Sequence, residues 1–183
     1  TTGRDDSRAD SYRYPYEPTP YAVLERLGSS GLIGKGDVLL DYGCGKGRVD
    51  FFLSYQTRAK SIGIEYDERI YEKAIQNKET AISGNLVSFV LGSAETYQVP
   101  KNVTRCYFFN PFSVEILMKV MARISRSYYE YPREILLFFY YPSEEYISYL
   151  VSLDYIEFVD EIDFRDLFKT DNERERIVVF KLV

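Results

Sequence analysis

This 183-residue sequence predicts a doubly wound α/β fold, in which a mostly parallel sheet carries helices on both faces and closes with an antiparallel C-terminal hairpin. Three observations predict it. Short apolar runs alternate with helical stretches through residues 38–152. The first run ends in an acid and three alternate glycines, Asp41-Tyr42-Gly43-Cys44-Gly45-Lys46-Gly47, directly before a helical pattern. The tail holds two further apolar segments with a turn, and no helical pattern, between them.

The elements follow in order. Residues 1–18 are polar and carry prolines, which reads as an N-terminal arm and a candidate lid, ahead of one domain over 19–183. A helix begins at Thr19-Pro20, with Thr19 as N-cap and Pro20 at the first helical position. Tyr21, Leu24 and Leu27 recur along it at helical spacing, and Gly28 and Gly31 end it. Strands read at 38–42, 61–65, 86–91, 104–109 and 134–141, and helices at 46–56, 68–79, 112–126 and 143–152. Tyr155 to Phe164 and Arg174 to Val183 read as the closing strands, joined through a turn at Thr170-Asp171-Asn172.

Bulk composition excludes several function classes. A hydrophobic fraction of 45% and a charged fraction of 28% are those of a globular chain with one core. No apolar run approaches the ~20 residues that cross a bilayer, so no membrane partner is expected. Cys44 and Cys106 make neither a disulfide framework nor metal-ligand spacing, which points to a reducing, cytoplasmic setting and to no metal. The chain contains no histidine, which removes the commonest general base and metal ligand and with them most hydrolytic triads. A net charge of −5 disfavours nucleic acid as a partner. Against that, residues 101–133 hold six Lys/Arg and only two acids, a stretch that is either a solvated helix face or an anion-binding one.

Gly43, Gly45 and Gly47 permit tight backbone geometry after the first strand. Their G-x-G-x-G spacing departs from the dinucleotide fingerprint, and Asp41 directs a carboxylate into the turn where a pyrophosphate would lie. A phosphate is repelled there, whereas a ligand with an ammonium group is accepted. Glu65 ends the second strand, 18 residues after Gly47, near the distance at which an acid accepts both ribose hydroxyls. Tyr66 follows, placed to lie against an adenine ring.

With these motifs the chain resembles the class I S-adenosylmethionine (SAM) dependent methyltransferases, from about Tyr16 to Val183. The resemblance implies a three-layer α/β/α Rossmann-like methyltransferase fold, a seven-stranded sheet with its final strand reversed. By the match over Leu40-Asp41-Tyr42-Gly43-Cys44-Gly45-Lys46-Gly47, it implies that Asp41 and the glycine turn hold the methionine end of SAM. It further implies that Glu65 takes the ribose and Tyr66 the adenine. Where family members often carry Gly-Asp-Ala after the third strand, this chain has Gly92-Ser93-Ala94-Glu95, which leaves Ser93 or Glu95 for the adenine amino group and Ala94 as a further cofactor contact. Phe108-Phe109-Asn110-Pro111-Phe112 looks like the Asn/Asp-Pro-Pro-aromatic motif of amino-methyltransferases, shortened by one proline. That resemblance makes Asn110, Pro111 and Phe112 the candidate catalytic residues, orienting a target nitrogen. The other reading of that segment is a strand-end turn with Pro111 at the first helical position. Tyr16-Glu17-Pro18-Thr19-Pro20 resembles a segment preceding the glycine turn in some lysine methyltransferases, which makes Tyr16 and Thr19 further candidate SAM contacts.

The function implied is methyl transfer from SAM to an acceptor that the sequence leaves open among RNA, protein and small molecules. Two alternatives stand beside it. One is a methyltransferase-like subunit that binds without catalysis, the other an NAD-dependent oxidoreductase. The glycine spacing, Asp41 and the terminal hairpin argue against the latter.

Overall fold

The computed structural model describes Arg13, Tyr14 and residues 16–183; the rest of the expected arm lies outside the described residues. The chain runs α1 (Tyr21–Gly28), β1 (Val38–Tyr42), α2 (Arg48–Thr57), β2 (Lys60–Glu65), α3 (Glu68–Thr80), β3 (Val87–Leu91) and β4 (Arg105–Phe108). It continues through α4 (Val114–Glu130), β5 (Leu136–Tyr140), α5 (Glu144–Val151), β6 (Ile156–Asp163), α6 (Arg165–Phe168) and β7 (Arg176–Leu182). The seven strands lie in the order β3-β2-β1-β4-β5-β7-β6. Strands β1 to β5 pair in parallel, and β7 runs antiparallel to both β5 and β6.

β1 and β5 are buried at every position, as strands covered on both faces must be. Alternation along them feeds two cores. Leu40, Tyr42, Cys106, Phe108, Leu137 and Phe139 pack with α4 and α5 on one side of the sheet. Leu39, Tyr107, Phe138, Tyr140 and Val179 pack with α1 and α2 on the other. In the first core the Tyr42 and Phe108 rings stack at 4.9 Å and Phe108 and Phe139 at 4.5 Å, one ring from each of three neighbouring strands. α4 is held by Ile116, Leu117, Val120, Met121 and Ile124, a stripe at helical spacing.

Three local expectations differ. α4 begins at Val114, with Ser113 as its cap accepting the Ile116 N–H, so Pro111 lies before the helix rather than in it. Pro20 occupies the cap position of α1, and the Thr19 hydroxyl turns inward instead. A one-turn helix, α6, separates β6 from β7 where no helix was expected. Four residues are too few for periodicity to show, and the turn is set by buried Phe164 and by the Asp163 carboxylate accepting the Arg165 N–H at 2.9 Å. Among the described residues, no helix is long and apolar enough to cross a membrane.

Three of the six bases in the stretch 101–133 are spent on the fold. Arg105 donates to the Leu32 carbonyl and to Glu134, Arg133 to the carbonyls of Val103, Pro100 and Ser127, and Arg123 to that of Glu95. Guanidinium groups that satisfy buried carbonyls are not available as an anion-binding face.

Candidate functional site

The sheet order reverses between β1 and β4, and a cleft opens at the carboxyl ends of β1, β2 and β4, where open α/β sheets place ligands. Asp41, Gly43, Cys44, Glu65, Tyr66, Ala94, Pro111 and Phe112 line it, together with Tyr16 and Glu17 of the arm and Thr19 just after it.

The glycine turn bends as the spacing requires: φ is +71° at Gly43, +57° at Gly45 and +96° at Gly47, conformations that L side chains rarely adopt. The structure adds a second reason at all three, Gly47 being closed by the Phe51 and Phe89 rings. A Cβ on Gly43 would lie 2.6 Å from the Pro111 Cβ, and one on Gly45 would overlap the Tyr16 ring. The bare backbone therefore admits neighbouring protein, drawing the 110–112 loop and the arm against the turn. The Tyr16 hydroxyl accepts the Lys46 N–H, fixing the ring across it.

Glu65 ends β2 and is 7% exposed. Its Oε1 accepts the Gly45 N–H at 3.0 Å and its Oε2 the Asp67 N–H at 2.8 Å, so one carboxylate ties β2 to the glycine turn. Burial raises its pKa, and these backbone N–H groups oppose the rise. Tyr66 beside it is half-exposed, and the Arg13 guanidinium lies 4.2 Å from its ring centroid while pairing with Glu95.

The described part of the arm is pinned twice. The Tyr14 N–H donates to the Pro111 carbonyl at 3.3 Å, with a β-bridge from Arg13 to Phe112. Thr19 Oγ1 and the Tyr107 hydroxyl bond at 2.7 Å, both buried.

Asp41 is buried, pairs in register with Gly63 on one side and Tyr107 on the other, and lines the cleft. Its Oδ2 is buried with no partner. Within hydrogen-bonding reach stands the carboxyl of Asp50, in the first turn of α2 and fully buried. Two carboxylates can bond only through a proton. Burial raises both pKa values; Asp50 raises that of Asp41 further, while the bond to Asp41 lowers that of Asp50, which stands at about 7. Glu65 adds a third negative charge acting on Asp41.

The sequence-predicted residues thus divide. Asp41, Gly43, Cys44, Glu65, Tyr66, Ala94, Tyr16, Thr19, Pro111 and Phe112 meet at one cleft. Gly45 and Gly47 shape the turn beneath it. Ser93 is not among the lining residues; its carbonyl accepts the Thr96 hydroxyl and N–H. Asn110 does not line the cleft either. It sits at φ +41°, its side-chain amide donating to the Tyr141 carbonyl and its Oδ1 accepting the Ser143 N–H at 3.2 Å, so it anchors the β5–α5 turn. Glu95, the alternative to Ser93, also lines the cleft, and the residues missed are Asp50 and Tyr107. An acid inside Val49-Asp50-Phe51-Phe52-Leu53, spaced with Leu53 and Ser54 on the buried helix face, was a signal for the first. For Tyr107 the sequence holds none, since its partner lies 88 residues away.

The residues present fit a cationic adenosine ligand: a buried acid with an unpartnered oxygen, an acid ending the next strand, and an aromatic ring beside it.

No protein-family model matches the chain. A protein-lysine N-methyltransferase of Saccharolobus islandicus is 32% identical over 81 residues, a match spanning 43% of this chain and 50% of that protein, so only half the length of this relative is covered. Solved structures agree over far more of the chain. A TehB-like SAM-dependent methyltransferase from Corynebacterium glutamicum superposes with a TM-score of 0.62 at 19% identity, covering 87% of this chain and 88% of its own. An RNA methyltransferase from Salinibacter ruber in complex with S-adenosyl-L-homocysteine gives 0.54 at 20% identity, covering 90% and 92%. An rRNA methylase from Streptococcus thermophilus gives 0.60 at 13%, covering 90% and 96%. These likenesses establish the fold.

Proposed function

From the premise that this chain has the fold of the class I SAM-dependent methyltransferases, we propose that it transfers a methyl group from SAM to an amine nitrogen. The observation that carries the donor is the pairing of Asp41, buried with an unpartnered oxygen in the cleft, with Glu65 at the end of the adjacent strand. Bound SAM supplies an electrophilic methyl group on a sulfonium. The chain's own residues do the rest. Asp41 favours positive charge beside the glycine turn, Glu65 accepts from ribose hydroxyls, and Tyr66 flanks the adenine. Proximity and in-line orientation carry such a transfer with little acid–base help, which suits a chain without histidine.

The acceptor is read from the acids that bear on the cleft. Glu17 lines it, Glu145 and Glu115 act on Tyr14 in its lining, and Arg13, a cation of the lining, is paired with Glu95. The Phe109 and Tyr140 rings meet at 4.7 Å beside Glu17. Carboxylates among aromatic rings favour a basic amine over a polyanion, and the Saccharolobus relative, a protein-lysine N-methyltransferase by name, supports the same acceptor. We propose that Pro111 and Phe112 border the acceptor nitrogen, whereas Asn110, occupied at both ends of its amide, acts by shaping the loop. The cleft encloses about 90 Å³ with the arm docked, below the ~300 Å³ at which ligand pockets begin. This supports the arm as a lid that moves outward to admit the cofactor.

Titration of SAM into the wild type, Asp41→Ala and Glu65→Ala tests the donor: binding by the wild type, weakened in both variants, is expected. No wild-type binding at high micromolar ligand would refute the proposal. Methyl-labelled SAM, offered with basic proteins in one arm and RNA in another, tests the acceptor. Label on RNA alone would overturn the amine.

A further inference from the structure

We infer that Asp50 is a positioning residue for the cofactor: its carboxyl shares one proton with Asp41, and the pair releases that proton when a cation binds in the cleft. This rests on the methyltransferase reading. Asp50 has no other evident task. It is fully buried, among the described residues no group other than Asp41 bonds to either of its side-chain oxygens, and it does not line the cleft. Its route to a ligand runs through Asp41, which does line the cleft and whose Oδ2 is also buried without a partner. Two hydroxyls at its backbone are committed, Ser54 and Ser61 bonding each other at 2.7 Å with Ser61 also directed at the Asp50 carbonyl.

Around the pair, β2, β4, Cys44 of the glycine turn and the arm present acidic or neutral groups, and α2 adds the Arg48 cation. β2 brings Glu65 and the glycine turn brings the Cys44 thiol. β4 brings the Tyr107 hydroxyl, bonded to Thr19, and the arm brings Tyr16. Arg48 of α2 directs its guanidinium to the Thr19 carbonyl and over the Tyr21 ring. The charges acting on Asp41 are those of Asp50 and Glu65, both acids. Two adjacent carboxylates in such a site cannot both ionise, so one proton lies between them and the pair carries a single negative charge. A cation beside Asp41 supplies the positive charge that the proton supplied. Asp41 and Asp50 then both ionise, the proton passes to solvent, and charge is balanced by the ligand.

Linkage fixes the signature. Cation affinity rises as pH rises, by up to about tenfold per pH unit where one full proton is released. The absence of histidine keeps imidazole out of that window. The test is calorimetric titration of SAM between pH 6.5 and 8 in two buffers of different ionisation heat, for the wild type and Asp50→Asn. Asparagine preserves the shape and donates an N–H to Asp41, so Asp50→Asn is expected to bind SAM with a flatter pH dependence. It is also expected to release up to one proton fewer than the wild type; any proton carried by the ligand's own amino group is common to both. Equal proton counts in the two proteins overturn the inference and leave the methyltransferase reading standing, whereas no SAM binding by the wild type overturns both. Infrared difference spectra of the wild type alone keep the inference testable if Asp50→Asn does not fold. SAM is expected to bleach the carbonyl stretch of a protonated carboxyl group, and an unchanged band overturns the inference.

Discussion

Replacing Glu65 with glutamine tests whether a single carboxylate both closes the glycine turn and holds the cofactor. Glu65 accepts the Gly45 N–H at 3.0 Å through one oxygen and the Asp67 N–H at 2.8 Å through the other, at 7% exposure. Glutamine keeps the volume but has one acceptor, so its NH₂ must face the second N–H. A buried donor that loses its acceptor costs about 1–3 kcal/mol, and bonds to a charged acceptor lie at the upper end. Burial works the other way, since the raised pKa of Glu65 reflects a desolvation cost that the neutral side chain escapes. The balance is about 2 kcal/mol, which in a domain of this size lowers Tm by roughly 4–8 °C. If the same oxygens accept ribose hydroxyls, losing two charge-assisted bonds weakens SAM by roughly 10- to 100-fold, at about 1.4 kcal/mol per decade. Scanning calorimetry and SAM titration on the one variant read both effects. A Glu65→Gln protein with wild-type Tm and wild-type affinity would refute the reasoning for the turn and for the ribose together.

Three further outcomes are expected. Asp41 and Asp50 have pKa values raised in the folded protein, so the fold holds protons that the unfolded chain has lost. Stability therefore falls as pH rises from the ordinary carboxylate range through about 7. Urea midpoints measured between pH 4.5 and 8 should show this fall, and Asp50→Asn should flatten it. Thr19→Val and Tyr107→Phe each leave one buried hydroxyl without its partner and should cost about 1–3 kcal/mol; the double variant should cost less than their sum, as a double-mutant cycle in denaturant reads. Asn110→Ala places an alanine at φ +41° and removes both bonds to the β5–α5 turn, for an expected loss of about 2–4 kcal/mol by chemical denaturation. Asn110→Gly, which tolerates that φ, should recover part of the loss, and a residual methyl transfer rate in it would separate anchoring from catalysis.

How much of this was legible in the sequence depends on the range over which each feature is specified. β1, the glycine turn and the start of α2 are local. Five buried residues demand a strand covered on both faces, and three positive φ angles in alternate positions demand residues without a Cβ. Asp41 and Glu65 were legible for the same reason, because the ends of successive parallel strands fall at one edge of the sheet. The reversed final strand followed from two strand patterns with no helical pattern between them, although the single turn α6 was too short to register.

What only the tertiary structure decided is what those local pieces meet. Asn110 looked like a group aimed at substrate, and long-range closure turned its amide to Tyr141 and Ser143. Thr19 read as a helix cap, yet Tyr107, distant by 88 residues, claims its hydroxyl. Asp50 sits in a first helical turn, where the helix dipole alone would welcome an acid; the sheet buried it against Asp41. Backbone conformation and side-chain period are set by neighbours along the chain. The partner of a buried polar group is set by which distant segment excludes water from it, and that is decided when the two sides of the sheet close.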